Sequence, residues 1–200
     1  EKGGLSSLEL IEEYLERIRK YDRNLGAFID VYEEEARKAA AASDIARSSG
    51  YNIGPLQGIP VAVKDIIDID GKITTGGSRV WKDRRSSLTA TLVRRMVEAG
   101  MIVLGKTHTV EFAMGSFGTN QHMGSSKNPW DLEKHRATGG SSAGTAAAVA
   151  AGLTPWGIGT DTGGSVRIPS AWCGLPGLKT SVGRISTHGV LPLSHTQDTP

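Results

Sequence analysis

The chain has 200 residues, 38% of them hydrophobic and 22% charged, with a formal charge of +2. Such a length buries a sizeable core, and so small and dispersed a charge argues against a nucleic-acid surface, the densest basic run being Lys82-Asp83-Arg84-Arg85. No apolar run reaches the roughly 18 residues of a membrane span, the polar start from Glu1 lacks a signal-peptide core, and a single cysteine, Cys173, fits a reducing compartment, so a soluble, cytoplasmic protein is expected.

Ser6 and Glu9 form a capping-box pattern, and Leu5 can staple against Leu10. Leu8, Ile11, Leu15 and Ile18 then recur on one face, which predicts a helix to about Tyr21. Leu25 to Tyr32 reads as a short strand, and Glu33 to Ser48 as a second helix ended by Gly50. The loop Gly54 to Pro60 delivers an apolar strand, Val61-Ala62-Val63, with Lys64 at its end. A helix from Thr89 to Ala99 stops at Gly100. Met101-Ile102-Val103-Leu104 is wholly apolar, as a strand buried on both faces would be.

Gly115 to Arg136 has no period and reads as a long functional loop. Ala143 to Ala151 is a small-residue helix closed by Gly152, and Trp156 to Thr160 is a further strand. Helices alternating with apolar strands predict an α/β protein with a mixed central β-sheet flanked by helices. No repeat or linker divides the chain, so residues 1–200 are read as one domain. Both ends look cut, with Glu1 in place of an initiator methionine and a stop at Asp198-Thr199-Pro200 without a closing element, so a piece of a longer protein is expected, its domain incomplete at the C-terminus.

Chemistry concentrates in two glycine–serine loops, Gly139-Gly140-Ser141-Ser142-Ala143-Gly144-Thr145 and Gly159-Thr160-Asp161-Thr162-Gly163-Gly164-Ser165-Val166-Arg167. Glycines leave N–H groups uncovered and let backbone approach a reacting centre, and serine becomes a nucleophile once a neighbour takes its proton. The turn before Ser165 can gather amides into a nest for an oxyanion, although a Gly-Gly-Ser triplet alone is usually a plain turn. A P-loop lysine and a dinucleotide fingerprint are both missing. Val166-Arg167 after Ser165 breaks the nucleophile-elbow pattern.

Lys64, at the end of a buried strand, is the candidate base. Desolvation lowers a lysine pKa, and a neutral amine serves as base in Ser-Lys variants of the serine triad. The plainer alternatives are a snorkelling lysine or one paired with Asp65. His108, His122, His135, His188 and His195 show no metal-ligand spacing. No metal and no cofactor are therefore expected, and Cys173 reads as a small core residue.

The succession Val61-Ala62-Val63-Lys64-Asp65, the two glycine–serine loops and Ile168-Pro169 resembles the amidase signature family. Cys173-Gly174-Leu175-Pro176-Gly177-Leu178-Lys179 and Gly183-Arg184-Ile185-Ser186 are similar to that family's continuation, so the likeness runs through most of the chain. The resemblance implies the amidase signature fold and a Ser-cisSer-Lys triad. Ser165 takes the nucleophile's place. Ser141, after a cis Gly140–Ser141 bond, takes that of the bridging serine and proton relay, and Lys64 that of the base. The amides of Thr162, Gly163, Gly164 and Ser165 would form the oxyanion hole. Met114, Gly115 and Ser116 resemble the family's substrate-facing loop. Ser142 reads as a supporting hydrogen-bonder rather than a nucleophile, and Asp161 and Arg167, which flank Ser165, as a pair that holds the loop rather than as catalytic groups.

Two departures from the commonest family pattern fall outside the triad: Ser-Ser-Ala-Gly-Thr for Ser-Ser-Gly-Gly-Ser, and Lys179-Thr180-Ser181 for Lys-Pro-Thr. The implied reaction is hydrolysis of a small-molecule carboxylic amide, or of an ester or carbamate, through an acyl-enzyme on Ser165. One alternative is the glutaminase subunit of a tRNA-dependent amidotransferase, which passes ammonia to a partner subunit. Another is a catalytically inactive binding module of the same fold, against which the intact Lys64, Ser141 and Ser165 speak. The tail Leu193 to Thr199 looks more like free-standing amidases than like the glutaminase subunit. No direct contact with nucleic acid or membrane is expected, and a homodimer is one option for the assembly.

Overall fold

The computed structural model describes residues 4–200. The polar start at Glu1 lies outside the described residues. Ser6 caps the first helix as its sequence predicts: its hydroxyl accepts from Glu9 N at 3.1 Å, and the Glu9 carboxylate accepts from Ser6 N at 2.8 Å. Helix α1 (Ser7–Arg17) buries Ile11 and Leu15 completely. It does not continue as a regular helix to Tyr21. It widens into a π-helical turn, Ile18–Asp22, then a short turn, Arg23–Leu25, closed by Gly26 in the left-handed conformation. The Asp22 carboxylate accepts from Ala27 N at 2.7 Å and Phe28 N at 3.0 Å, which steers the chain into β1 (Phe28–Val31).

Helix α2 (Glu33–Ser48) has the predicted bounds. Strand β2 (Pro60–Lys64) includes the lysine itself, and α3 (Thr91–Glu98) sits inside its predicted range. Strand β3 (Ile102–Thr107) runs three residues beyond Leu104 because Gly105, Lys106 and Thr107 stay paired to β2. Gly105 is needed for close approach: a Cβ there would lie 2.2 Å from Asp30 O of β1.

Helix α4 (Ala143–Ala150) and strand β4 (Gly157–Ile158) follow, the latter only two residues of the predicted five. Helix α5 (Arg167–Cys173), closed by left-handed Gly174, was not predicted. The residues 115–136 form no strand or helix, as expected of a loop.

The sheet order is β1-β3-β2-β4, with β1 antiparallel to β3 and the other pairs parallel, a mixed sheet as predicted. Side chains of β2 alternate between two cores. Ala62 joins Ile11, Leu15, Leu104 and Ala147 beneath the helices α1, α2 and α4. Val63 joins Ile66, Ile67, Leu92 and Val93 on the other face. Gly144 lets the start of α4 press against the sheet, since a Cβ there would sit 2.3 Å from Ala27 O and 2.4 Å from His108 N. Among the described residues no helix is long and apolar enough to cross a membrane.

Candidate active site

Strand β2 carries Lys64 into the interior, where its side chain is fully buried. Its Nζ donates to Ser141 Oγ at 2.6 Å and to Thr160 Oγ1 at 2.9 Å. Neither acceptor is a carboxylate. Burial pulls the Lys64 pKa from its ordinary value down to about 7, outweighing the opposing attraction of Asp161 and Asp198. The Lys64–Asp65 pair is not formed. Asp65 instead accepts from Lys106 Nζ at 3.2 Å, from Thr75 N at 3.0 Å and from the Thr75 hydroxyl.

Ser141 sits after a cis Gly140–Ser141 bond. Its carbonyl accepts from Val110 N and from Thr109 Oγ1, each at 3.1 Å. Ser142 stitches the two glycine–serine loops together. Its N donates to Ser165 O at 3.2 Å, and its hydroxyl accepts from Thr160 N at 3.3 Å and donates to Thr160 O at 3.4 Å.

Ser165 is half-buried, and its hydroxyl makes no hydrogen bond among the described residues. The contact path is thus closed from Lys64 to Ser141 and open from Ser141 to Ser165.

Asp161 organises the turn ahead of Ser165. It is 1% exposed, and its carboxylate accepts from Gly164 N at 2.8 Å and from Val166 N and Arg167 N at 3.2 Å. The Arg167 guanidinium adds a bidentate pair, Nε to Oδ2 at 3.0 Å and Nη2 to Oδ1 at 2.9 Å. Burial pushes the Asp161 pKa up, but Arg167 and the two amides more than offset it and hold the carboxyl well below the usual range. Asp161 and Arg167 therefore pair, as the sequence predicts.

Gly164 N, one of the four amides expected to meet an oxyanion, donates to Asp161 Oδ1 at 2.8 Å. The N–H groups of Thr162, Gly163 and Ser165 have no acceptor among the described residues.

The loop bearing Met114, Gly115 and Ser116 lies against the same serine loop, with Ser116 O accepting from Gly140 N at 2.7 Å. Met114 is 72% exposed. Just upstream, Phe112 and Ala113 adopt left-handed backbone, φ 48° and 60°. That conformation costs a non-glycine residue about 1 kcal/mol or more, and it is supported here by Phe112 N donating to Gly76 O at 2.7 Å.

Of the departures from the family pattern, Ala143 opens α4 fully buried, and Thr145 spends its hydroxyl on Thr107 at 2.7 Å. Cys173 is buried near Thr138 O, and burial pushes its thiol up to about 11. Among the described residues no group of three His, Cys, Asp or Glu side chains could hold a metal ion.

Sequence reasoning gave no role to Thr160 or to Lys179, although both stand inside quoted motifs. Lys179 Nζ donates to Asp161 O at 2.8 Å and Thr162 O at 2.7 Å. An open apolar groove of about 600 Å³ borders the site along β4. It touches Ser142, Gly159 and Val166 but none of Lys64, Ser141 and Ser165.

The family model described as Amidase matches residues 9–200. A glutamyl-tRNA(Gln) amidotransferase subunit of Halorhodospira halophila is 47% identical over 98% of this chain, which spans 40% of that protein. The peptide amidase of Stenotrophomonas maltophilia superposes with a TM-score of 0.92 at 40% identity, over 98% of this chain and 41% of its own. The corresponding glutamyl-tRNA(Gln) amidotransferase subunit of Thermotoga maritima superposes with a TM-score of 0.82 at 38% identity, over 96% of this chain and 39% of its own. The chain therefore spans about two-fifths of the length of the relatives it matches.

Proposed function

Since the chain belongs to the amidase family, we propose that it carries the acyl-transfer centre of an enzyme that hydrolyses a carboxylic amide. We take residues 1–200 as part of one amidase signature domain longer than this chain, because relatives of high identity extend well past it. The observation that carries the reading is the fully buried Lys64 amine donating to Ser141 Oγ at 2.6 Å. A buried amine whose pKa is lowered toward neutrality and whose hydrogen-bond acceptors are hydroxyls suits the role of a base.

In this mechanism neutral Lys64 takes a proton from Ser141, Ser141 takes one from Ser165, and Ser165 Oγ attacks the amide carbon. The Ser141–Ser165 contact closes when substrate is bound, as catalytic hydrogen bonds commonly do. Free amides of Thr162, Gly163 and Ser165 receive the charge that develops on the carbonyl oxygen. The relay in reverse protonates the leaving amine, and water then releases the acyl group. Met114, Gly115 and Ser116 flank the substrate, and Ser142 keeps the two serine loops in register. The protein would act in the cytoplasm.

A second, narrower reading is that the amide is glutamine and the ammonia passes to a partner subunit. It is favoured by the 47% identity to a component of an amidotransferase, against the tail's likeness to free-standing amidases. Glutaminase activity of the full-length protein that depends on added partner subunits supports it. Turnover of small amides by the protein alone supports the free-standing amidase.

The pH dependence follows from Lys64. The base must be unprotonated, so kcat/KM should rise with pH through a limb near 7, set by the lowered pKa. A limb near the ordinary lysine value would contradict the assignment of Lys64.

A further inference from the structure

Lys179 lies in the segment after α5, outside the proton path, and its side chain is 23% exposed. Its amine is not spent mainly on a carboxylate. Nζ donates to three main-chain carbonyls, Asp161 O at 2.8 Å, Thr162 O at 2.7 Å and Gln197 O at 3.2 Å, while the nearest carboxylate oxygen, Asp161 Oδ1, is 3.5 Å away. These bonds use all three of its donors.

The two carbonyls of the turn set the direction of two amides. Across a trans peptide, C=O and N–H point to opposite sides, and the one cis bond lies elsewhere, at Gly140–Ser141. With Asp161 O and Thr162 O turned onto Lys179, the N–H groups of Thr162 and Gly163 turn away from it. These are two of the three amides ahead of and at Ser165 that have no acceptor among the described residues. Gly163 faces open space, for a Cβ there would meet nothing within 4 Å.

The two peptides are not held equally. Asp161 O also accepts from Thr199 N at 3.3 Å and Thr199 Oγ1 at 3.1 Å. Thr162 O has Lys179 as its one partner among the described residues. The Gly163 amide therefore depends on Lys179 most directly. A cation on the carbonyl side also polarises the peptide and strengthens the N–H on the other side.

We propose that Lys179 is a positioning residue that aims the Thr162 and Gly163 N–H groups at the oxyanion formed on the substrate of Ser165. The proposal rests on the acyl-transfer reading above and adds to it the group that orients its electrostatic half.

The test uses the full-length protein, wild type and Lys179→Met. It compares kcat and KM on the best amide of a substrate panel, affinity for phenylboronic acid as a tetrahedral adduct former, and labelling of Ser165 by a fluorophosphonate. The expected result is a kcat lower by roughly 10- to 100-fold, somewhat less than loss of a whole oxyanion donor, with KM little changed and boronate affinity reduced in parallel. Lys179→Arg, which keeps charge and donors, should recover part of the loss. A folded Lys179→Met protein with wild-type kcat overturns the proposal, as does a kcat loss that leaves boronate affinity unchanged. Should Lys179→Met not fold, Lys179→Gln, one atom shorter and neutral, is read by the same criteria. Wild-type protein that fails to label at Ser165 defeats the acyl-transfer reading, whereas labelled wild type with an unaffected variant defeats only the role of Lys179.

Discussion

Lys64→Ala is expected to lower kcat of the full-length protein by roughly 10²- to 10⁴-fold, the range a positioned general base supplies. KM should change little, because the amine lies behind Ser141 and away from the substrate. In the proposed mechanism the relay starts at Lys64, whose amine donates to Ser141 Oγ at 2.6 Å and to Thr160 Oγ1 at 2.9 Å. Without the amine, Ser141 has nowhere to send the proton it takes from Ser165. Lys64→Arg should be no better, since a guanidinium stays charged and accepts no proton. Steady-state kinetics check this, with circular dichroism confirming the fold. A Lys64→Ala protein within a few-fold of wild-type kcat would remove Lys64 from the mechanism.

The largest expected stability effect comes from the neighbouring buried pair. Lys106 is 0% and Asp65 1% exposed, 3.2 Å apart, and Lys106 also donates to Thr74 Oγ1 at 2.9 Å. Burial pushes the two groups in opposite directions, the Lys106 pKa down and the Asp65 pKa up, and their mutual attraction opposes both shifts. Lys106→Met strands the Asp65 carboxylate with only Thr75 to solvate it, and should destabilise the protein by roughly 3–5 kcal/mol.

The double variant Asp65→Leu/Lys106→Met should recover a substantial part, because no uncompensated charge remains. The recovery should be incomplete, because Thr75 N loses its acceptor. Denaturant unfolding of the four proteins of this cycle measures both effects. A single variant within about 1 kcal/mol of wild type would mean that water reaches Asp65 and the pair is not as dry as its burial implies.

What the sequence made legible follows the physics each signal carries. Helix α2 is legible to the residue because acidic residues at its start and Gly50 beyond its end mark both termini. Strand β2 was legible from an apolar run that ends in a charge. By contrast, the apolar pattern ends β3 at Leu104, because Gly105 and Lys106 look like a strand ending. A buried lysine neutralised by Asp65 leaves no trace in a hydrophobicity pattern. Strand β4 shrinks to Gly157–Ile158 because β2 offers it only two residues of pairing. Helix α5 was hidden because it opens directly out of a glycine turn.

In the site, the resemblance pointed to Lys64 and Ser141, which the fold brings into contact, but not to how each amide is used. That Gly164 N turns to Asp161 depends on a carboxylate folding back over its own turn, which spacing alone does not reveal. Thr160, the second acceptor of Lys64, lies 96 residues from it in sequence. Only the parallel pairing of β2 and β4 brings the two together.

Reaction of the full-length protein with a fluorophosphonate, followed by peptide mass spectrometry, tests the central claim most directly. A single phosphonyl adduct on Ser165, formed much more slowly in Lys64→Ala and absent in Ser165→Ala, is the predicted result. A folded, full-length protein that gives no adduct on Ser165, or one labelled on Ser141 instead, would contradict it.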